Sequence, residues 1–221
     1  MNLAVFASGS GSNFQAIAQA IAAGKLTARL CVVISNVGTA GIHERAKQCG
    51  IPSFSLNPRD FTEEAIYVQQ LMNILQQYHV DFIALAGYLR KIPTPLLSAF
   101  PNRILNIHPS LLPAFGGKGM YGHRVHEAVL AHGVRWTGAT VHLVDSEYDT
   151  GPIVLQEPVP VRQDDTPETL AARVLFKEHR IFPEALQLFA EQRVHITEQR
   201  TVIIDGLLPR GYHRSKLCPK P

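Results

Sequence analysis

Two polar side chains of different chemistry stand two residues apart at the end of an apolar run. Asn106 and His108 close the stretch RILNIH, and Pro109 follows at once. In an extended strand, residues i and i+2 point to the same face, so the amide and the imidazole would lie side by side. An amide N–H and a protonated imidazole are both donors that can stabilise an oxyanion. The alternative is that the pair caps the sheet edge and satisfies loop backbone.

An acidic turn, VDSEYDTGP, occupies residues 144–152. Asp145 and Glu147 are interpreted as solvated acids of a turn. Asp149 differs because a Thr-Gly-Pro run directly after it rigidifies the backbone. A carboxylate beside His108 would raise the pKa of the imidazole and hold its tautomer.

A third stretch, ASGSGSNFQAI, lies near the start of the chain. A strand ends, Gly9 and Gly11 form a turn, and a helix begins near Ser12 or Asn13. Backbone N–H groups at the positive end of a helix suit a phosphate. The stretch is neither a Walker loop nor a full G-x-G-x-x-G motif. The alternative is a tight turn in which Ser12 is an ordinary helix cap.

Elements of two kinds alternate along the chain and would position these three sites. Apolar runs predict strands, and apolar residues at helical spacing predict helices. The predicted strands are 3–8, 28–35, 51–56, 80–87, 102–108, 137–144, 152–161 and a short one near 200–204, and the predicted helices are 13–22, 41–49, 61–78, 122–131 and 166–190. Thr166 is expected to cap the last helix, with Pro167 at its first position.

Buried strands that alternate with helices imply a parallel sheet covered on both faces. Residues 137–144 and 152–161 instead show period-2 patterning around a turn, which predicts an antiparallel pair. The predicted fold class is therefore α/β, an open and mostly parallel Rossmann-like sheet with helices on both faces and an antiparallel C-terminal strand pair. We expect a single domain at residues 1–205 and a C-terminal tail at 206–221.

Composition excludes several classes of function. A net charge of +3 without a dense basic stripe argues against nucleic-acid binding. No run of roughly 20 apolar residues predicts a membrane helix. The three cysteines have no metal-like spacing, and with no basic leader segment they favour a cytoplasmic protein. The four histidines His123, His126, His132 and His142 lack a paired carboxylate framework, so no metal site is predicted.

Taken together, the motifs resemble the folate-dependent formyltransferase family. GSGSN, NIHPSLLPAFGG and the later D-T-G-P turn carry the resemblance, which extends over residues 2–190. The GSGSN loop and the chain length favour the members that act on glycinamide ribonucleotide. The resemblance implies transfer of the formyl group from 10-formyltetrahydrofolate to the amine of glycinamide ribonucleotide, in purine (IMP) biosynthesis.

Residue roles follow from the resemblance. It implies that Asn106, His108 and Asp149 are catalytic, with the first two donating to the oxyanion and Asp149 keeping His108 charged. Gly11, Ser12 and Asn13 would hold the ribonucleotide phosphate, and Glu178 would bind the ribose. From the residues alone, an exposed helix acid is the preferred interpretation of Glu178.

The folate side follows in the same way. Leu89, Arg90 and Ile92 would line the pterin cleft, together with Asn106 and the loop 142–149, and Arg90 would lie near its mouth. Two further residues, Thr140 and His142, would support the site from the neighbouring strand, and the Leu112–Pro113 bond would be cis.

Two features stay open at this level. The cation that contacts the phosphate is either Arg173 or Lys177. Glycines around Lys118 in the loop 114–128 suggest a mobile lid. No tightly bound cofactor is expected, since 10-formyltetrahydrofolate serves as a co-substrate, and the partners are the two small substrates, with the chain a monomer or a homodimer.

Competing functions remain at this point. A formyltransferase on another amine, such as an amino sugar nucleotide, or a formyltetrahydrofolate hydrolase would share the central motif. A non-catalytic nucleotide-binding protein would share the fold, since fold alone does not determine function.

Overall fold

A computed structural model describes residues 1–206, and the predicted tail at 206–221 lies, apart from Gly206, outside the described residues. The strands are β1 (Asn2–Ala7), β2 (Arg29–Ser35), β3 (Ser53–Ser55), β4 (Phe82–Leu85), β5 (Ile104–His108), β6 (Trp136–Leu143), β7 (Ile153–Pro160), β8 (Val194–Ile196) and β9 (Val202–Ile204). The helices are α1 (Ser12–Ala22), α2 (Ile42–Gln48), α3 (Glu64–Gln77), α4 (Thr94–Ala99), α5 (His123–Ala131) and α6 (Pro167–Ala190), with a 3-10 turn at Pro58–Asp60.

Seven strands form one sheet in the order β3-β2-β1-β4-β5-β6-β7. The first five strands are parallel, whereas β6 is antiparallel to both β5 and β7. The predicted fold class is confirmed. Because the chain runs outward from β1 through β2 to β3 and then returns to the other side of β1, the strand order reverses between β1 and β4. Open α/β sheets bind ligands at such a reversal, beyond the carboxyl ends of the strands.

Alternation along the buried strands builds two hydrophobic cores, one on each face of the sheet. In β1, Leu3 and Val5 face the core covered by α1, α2, α5 and α6, while Ala4 and Phe6 face the core covered by α3 and α4. In β5, Leu105 faces the first core. Period-2 geometry therefore places Asn106 and His108 together on the opposite face, as predicted.

The long helix α6 begins as predicted. Thr166 accepts a hydrogen bond from the Thr169 N–H, and the Thr169 hydroxyl accepts one from the Thr166 N–H, so the two residues form a reciprocal cap. Pro167 occupies the first turn, where its missing N–H has no intrahelical partner to lose.

Strand β7 is an edge of the sheet and contains Pro158 and Pro160. The Val161 N–H donates to the Arg135 carbonyl on the side of β6. Successive residues of an antiparallel strand direct their N–H groups alternately to one side and to the other. The N–H positions of Pro158 and Pro160 therefore face away from β6. The Pro160 carbonyl accepts a hydrogen bond from Arg173 at 2.7 Å.

Three elements were not predicted from the sequence, one of which is the 3-10 turn at Pro58–Asp60. Helix α4 begins beside Pro93 and contains Pro95 in its first turn. Strand β8 pairs only with β9, in a separate two-stranded antiparallel sheet. Within residues 1–206, no helix has both the length and the apolar character needed to cross a bilayer.

Candidate active site

The GSGSN loop turns sharply into α1 at Gly11. Its φ of +77° lies in the left-handed region that favours glycine, and a Cβ there would lie 2.9 Å from the side chain of Ile42. Gly11 is the N-cap of α1, and no side chain caps the helix. The alternative in which Ser12 is an ordinary cap is therefore wrong. The N–H groups of the first turn stay available for an anion.

A cavity of about 340 Å³ lies against this loop, at the reversal between β1 and β4. We call it the loop cavity. Its wall includes Gly11, Asn13, Gly87, Pro109, His126 and Glu178. The loop and the first turn of α1 supply one wall, and α5 and α6 supply the opposite walls.

Glu178 lies inside this cavity and is only 8% exposed, so the alternative of an exposed helix acid is wrong. The Asn13 side-chain N–H donates to Glu178 Oε2 at 2.7 Å. Burial raises the pKa of Glu178, and the hydrogen bond from Asn13 opposes this only in part. Asn13 Oδ1 is buried and has no hydrogen-bond partner within residues 1–206.

A second cavity of about 360 Å³ lies at the end of β5, and we call it the strand-end cavity. Asn106, His108 and Asp149 line it, as do Leu89, Lys118 and Tyr148. The two cavities share wall residues, namely Gly87, Ile107, Pro109 and Gly122. They therefore adjoin one another at the point where β5 ends.

A short chain of hydrogen bonds fixes the amide of Asn106. His142 Nδ1 lies 2.8 Å from the Leu143 carbonyl and must donate to it, so the neutral ring has a bare Nε2. Asn106 Nδ2 lies 3.0 Å from that Nε2 and donates one of its two protons. The second amide proton remains for a ligand in the strand-end cavity.

Thr140 holds the chain reversal after β5. Its hydroxyl donates to the Ser110 carbonyl at 2.6 Å and accepts from the Leu112 N–H at 3.1 Å. Gln156 also donates to this hydroxyl, at 3.0 Å. The Leu112–Pro113 bond within the reversal is cis, as expected.

His108 and Asp149 face each other across the strand-end cavity. His108 Nε2 lies 2.8 Å from the Phe115 carbonyl, and Nδ1 lies 3.6 Å from Asp149 Oδ2. Asp149 Oδ2 also accepts from the Gly117 N–H at 2.8 Å. Burial raises the pKa of Asp149, but His142 and His108 in their protonated forms, together with this N–H, hold it below its usual value.

The expectation that Asp149 keeps His108 charged requires a correction. Burial lowers the pKa of His108, and this effect outweighs the attraction of the Asp149 carboxylate and the bond to the Phe115 carbonyl. His108 is therefore neutral at pH 7 in this structure. With its proton on Nε2, the bare Nδ1 faces the carboxylate, so a proton that arrives at Nδ1 would meet an acceptor in place.

The three predicted pterin residues do not all lie in the strand-end cavity. Leu89 lines it and is 47% exposed. Ile92 is instead buried in the core beneath α3 and α4. Arg90 is partly buried and lines neither cavity. The folate roles of Arg90 and Ile92 stay predictions.

Comparison with known proteins assigns the chain and its fold to a family. The model of the Formyl transferase family matches residues 1–186. The chain belongs to the formyl transferase family. The resemblance carried by the GSGSN, NIHPSLLPAFGG and D-T-G-P motifs is thereby confirmed.

Curated relatives in this family share a name. The chain is 45% identical to the chloroplastic phosphoribosylglycinamide formyltransferase of Arabidopsis thaliana, over 92% of this chain and 70% of that one. It is 46% identical to the chloroplastic enzyme of the same name from Vigna unguiculata, over 87% of this chain and 62% of that one. It is 37% identical to the phosphoribosylglycinamide formyltransferase of Escherichia coli (strain K12), over 96% of this chain and 98% of that one.

Solved structures agree with the family assignment. Glycinamide ribonucleotide transformylase 1 from Symbiobacterium toebii superimposes with a TM-score of 0.86 at 45% identity, over 92% of this chain and 93% of that one. A formyltetrahydrofolate deformylase from Pseudomonas syringae superimposes with a TM-score of 0.81 at 22% identity, over 92% of this chain and 65% of that one. The second likeness concerns the fold alone.

Neither cation proposed for the phosphate reaches the loop cavity of this formyl transferase. Arg173 pairs with Asp165, and Lys177 pairs with Glu157 at 2.9 Å. Within residues 1–206, the wall of the loop cavity contains no lysine or arginine. The loop N–H groups at the positive end of α1 are donors for an anion there.

Two histidines of α5, His123 and His126, line the loop cavity, although from the sequence they were candidates only for a metal site. Their spacing of three residues on a helix was the signal that could have found them, because such residues share a face. His123 is exposed at the rim and lies 3.0 Å from Glu168, whereas His126 is buried.

The loop predicted to act as a lid contains glycines in left-handed conformations. Gly117 has a φ of +95° and Gly119 a φ of +90°, on either side of Lys118. Lys118 lines the strand-end cavity. Closure of the loop 114–128 stays a prediction.

His126 makes the stability of the fold sensitive to acid. Burial, with the nearby His123 and His108 charges, lowers its pKa to about 4. An unfolded histidine has a pKa of about 6.5, so the unfolded chain binds the proton more readily between these values. This stability is present above pH 6.5 and is lost as pH falls towards 4, by about 3 kcal/mol in total.

We therefore expect His126→Leu to flatten the dependence of the free energy of unfolding on pH. Urea unfolding of the wild type and the variant at several pH values between 7 and 4 would measure the free energy of unfolding at each pH. Equal slopes for the two proteins across this window would contradict the expectation.

Proposed function

We propose that this formyl transferase moves the formyl group of 10-formyltetrahydrofolate to the amine of glycinamide ribonucleotide, in purine (IMP) biosynthesis. The observation that carries the proposal is the pair of adjoining cavities at the end of β5. One cavity offers helix N–H groups to an anion, and the other contains Asn106, His108 and Asp149. Two substrates bound in them would meet at the shared wall. The names of the curated relatives support the same reaction.

The loop cavity suits the ribonucleotide. Its phosphate would accept hydrogen bonds from the N–H groups of Gly11, Ser12 and Asn13 at the positive end of α1. Glu178 would bind a ribose hydroxyl. In its neutral form, which burial favours, this carboxyl can both donate to and accept from a hydroxyl.

The strand-end cavity would perform the chemistry. The acceptor amine attacks the formyl carbon, a C–N bond forms, and the carbonyl electron pair moves to oxygen. The free amide proton of Asn106 would donate to this oxyanion. So would the His108 Nε2–H, which would exchange the Phe115 carbonyl for the oxyanion once Nδ1 takes a proton beside Asp149. As the tetrahedral intermediate collapses, the bond from carbon to N10 breaks and N10 receives a proton.

Asp149 would assist the transfer of that proton. The attacking amine must lose one proton, and the leaving N10 must gain one, so the transfer is balanced within the site. His108 Nδ1 and Asp149 Oδ2 lie 3.6 Å apart. A proton on Nδ1 and a small shift of either side chain would form a hydrogen bond between them. Negative charge on the oxyanion would raise the proton affinity of His108 at the moment the donor is needed.

The alternatives lack one of these features. A formyltetrahydrofolate hydrolase needs water as its acceptor and has no use for an anion site beside the reacting centre. A formyltransferase on an amino sugar nucleotide needs no terminal phosphate monoester in the loop cavity. A non-catalytic nucleotide-binding protein needs no buried carboxylate opposite His108.

A formyl-transfer assay would test the proposal. Purified protein is mixed with 10-formyltetrahydrofolate, with and without glycinamide ribonucleotide, and both tetrahydrofolate and the formylated product are followed. We expect formyl loss that depends on the acceptor. Equal loss without the acceptor would indicate a hydrolase, and no loss in either case would refute the proposal.

Replacing Asp149 with asparagine tests the proton path. We expect kcat to fall about 100-fold, in the range of general acid–base effects. The Asp149 carboxylate raises the pKa of His108, so its loss lowers that pKa further. If protonated His108 is the donor, the fall in kcat at high pH moves to lower pH in the variant. The measurement is a pH profile of kcat.

Glu147→Gln is the matched control for this experiment. It neutralises an exposed acid of the same turn, which lies 3.5 Å from Lys91. We expect its kcat and pH profile to match the wild type. An unchanged profile in Asp149→Asn would remove Asp149 from the proton path.

Three further statements belong to the proposal. 10-Formyltetrahydrofolate acts as a co-substrate, and no tightly bound cofactor takes part. Residues 1–205 act as one domain, as a monomer or a homodimer, with small molecules as partners and no nucleic acid or membrane. A cytoplasmic location fits the free thiols of Cys31 and Cys49, although the Arabidopsis and Vigna relatives are named chloroplastic.

A further inference from the structure

The ring of His126 is buried in the wall of the loop cavity without any hydrogen bond among the described residues. The side chain is 4% exposed, and Nδ1 is a buried atom with no partner. Its neighbours on α5, Val125 and Val129, belong to the hydrophobic core. The other two buried histidines are bonded, since His108 contacts a backbone carbonyl and His142 has a partner at each nitrogen.

A leucine would fill this position without an unpaired nitrogen. Buried polar groups in proteins are nearly always hydrogen-bonded, and those left unpaired destabilise the fold. The wall of the same cavity includes Asn13, whose buried Oδ1 is also unpaired among the described residues. Both atoms are closed to solvent in this structure, so a polar ligand bound in the cavity would complete them after a small rotation of each side chain.

The chemistry of the cavity limits the kind of ligand group that can form a hydrogen bond with His126. The loop N–H groups are the anion donors, at the Gly11 end of the cavity. His126 shares the cavity wall with Ile107 and Pro109, the two neighbours of His108, so it lines a cavity that reaches the reacting centre. It remains neutral at pH 7, and a neutral imidazole offers one donor and one acceptor. Such a group suits an amide or a hydroxyl better than a phosphate dianion.

We infer that His126 binds the acceptor substrate, with its ring hydrogen-bonded to an uncharged N–H, C=O or O–H group in the glycinamide–ribose part of the ribonucleotide. Asn13 Oδ1 accepts from a second such group. The inference rests on the proposed function, because it assigns the loop cavity to the ribonucleotide. It makes His126 a residue that discriminates the acceptor and leaves the folate unaffected.

Two variants and a control test this assignment. His126→Leu removes both nitrogens at similar volume and keeps good helix propensity. His126→Gln keeps one amide able to donate and accept. His195→Leu is the control, since it removes an exposed imidazole on β8 that lines neither cavity.

Steady-state kinetics with each substrate varied in turn would give the first readout. We expect His126→Leu to raise the KM for glycinamide ribonucleotide about tenfold, the effect of losing one hydrogen bond. The KM for 10-formyltetrahydrofolate should change less than about twofold, and His126→Gln should recover part of the loss. The thermal midpoint of His126→Leu at pH 7 should equal or exceed that of the wild type.

Calorimetric titration of glycinamide ribonucleotide into each protein, without folate, would give the second readout. A wild type that neither binds nor formylates the ribonucleotide would overturn the proposed function. A wild type that binds and formylates it, with His126→Leu equal in affinity and KM, would overturn only the inference. A rise in both KM values together with a lower thermal midpoint would also overturn it, because a core role predicts that pattern.

Discussion

Replacing Asn106 with alanine is expected to lower kcat about 100- to 1,000-fold, the effect of removing one oxyanion donor. The Asn106 amide donates a hydrogen bond to His142 through one N–H, and its second N–H remains for a ligand in the strand-end cavity. Alanine removes the donor without adding bulk. Because the interaction forms chiefly in the transition state, kcat should fall more than the KM for either substrate rises.

The control for this experiment is Asn73→Ala. It truncates an exposed amide on α3 that bonds only to Gln69, at 2.8 Å. Steady-state rates and thermal midpoints of both variants would be compared with the wild type. A kcat for Asn106→Ala within about threefold of the wild type would exclude Asn106 as an oxyanion donor.

Gly151→Ala should have the largest effect on stability. A Cβ at this position would lie 1.7 Å from the Leu143 carbonyl oxygen, which is backbone and cannot move away as a side chain could. The strand pairing is fixed nearby, since the Leu143 N–H donates to the Pro152 carbonyl at 2.9 Å. We expect a loss of about 3 kcal/mol or more, and a thermal midpoint lower by about 10 °C.

The displaced turn also carries Asp149, so the folded fraction of Gly151→Ala should have lower kcat. Gly9→Ala is the matched control for stability, because a Cβ there meets no atom within 4 Å. Thermal and urea unfolding would be measured for both variants. A midpoint for Gly151→Ala equal to that of Gly9→Ala would show that the turn relaxes without loss.

The sequence predicted those parts of the site that depend on local geometry. Asn106 and His108 share a face because a strand has a period of two, and the turn at Gly11 follows from its glycine. Asp149 is different, since no spacing rule connects it with His108. Its position depends on antiparallel pairing, in which Asn106 is opposite His142 and His108 is opposite Thr140. The turn after β6 then returns the chain to the end of β5.

Burial could not be read from the chain. The residues alone favoured an exposed acid at Glu178, and only the packing of α6 against α1 places it in a cavity. The lowered pKa of His108 has the same cause, because desolvation depends on every surrounding segment. Helix α4 was missed because two prolines at its start are more typical of a loop. His126 was overlooked because a histidine among apolar residues carries no sign of its unpaired nitrogen.

The prolines of β7 have a consequence for self-association. At an exposed sheet edge, outward N–H groups and carbonyls form a template on which another chain can add a strand. In β7, Pro158 and Pro160 remove two of the outward N–H groups, and Arg173 already occupies the Pro160 carbonyl. A second copy therefore finds an interrupted ladder in the C-terminal half of this edge strand. Dimerisation by a continuous fourteen-stranded sheet through β7, and fibril-like stacking from the same edge, are disfavoured, so two copies that associate on this side must meet through side chains.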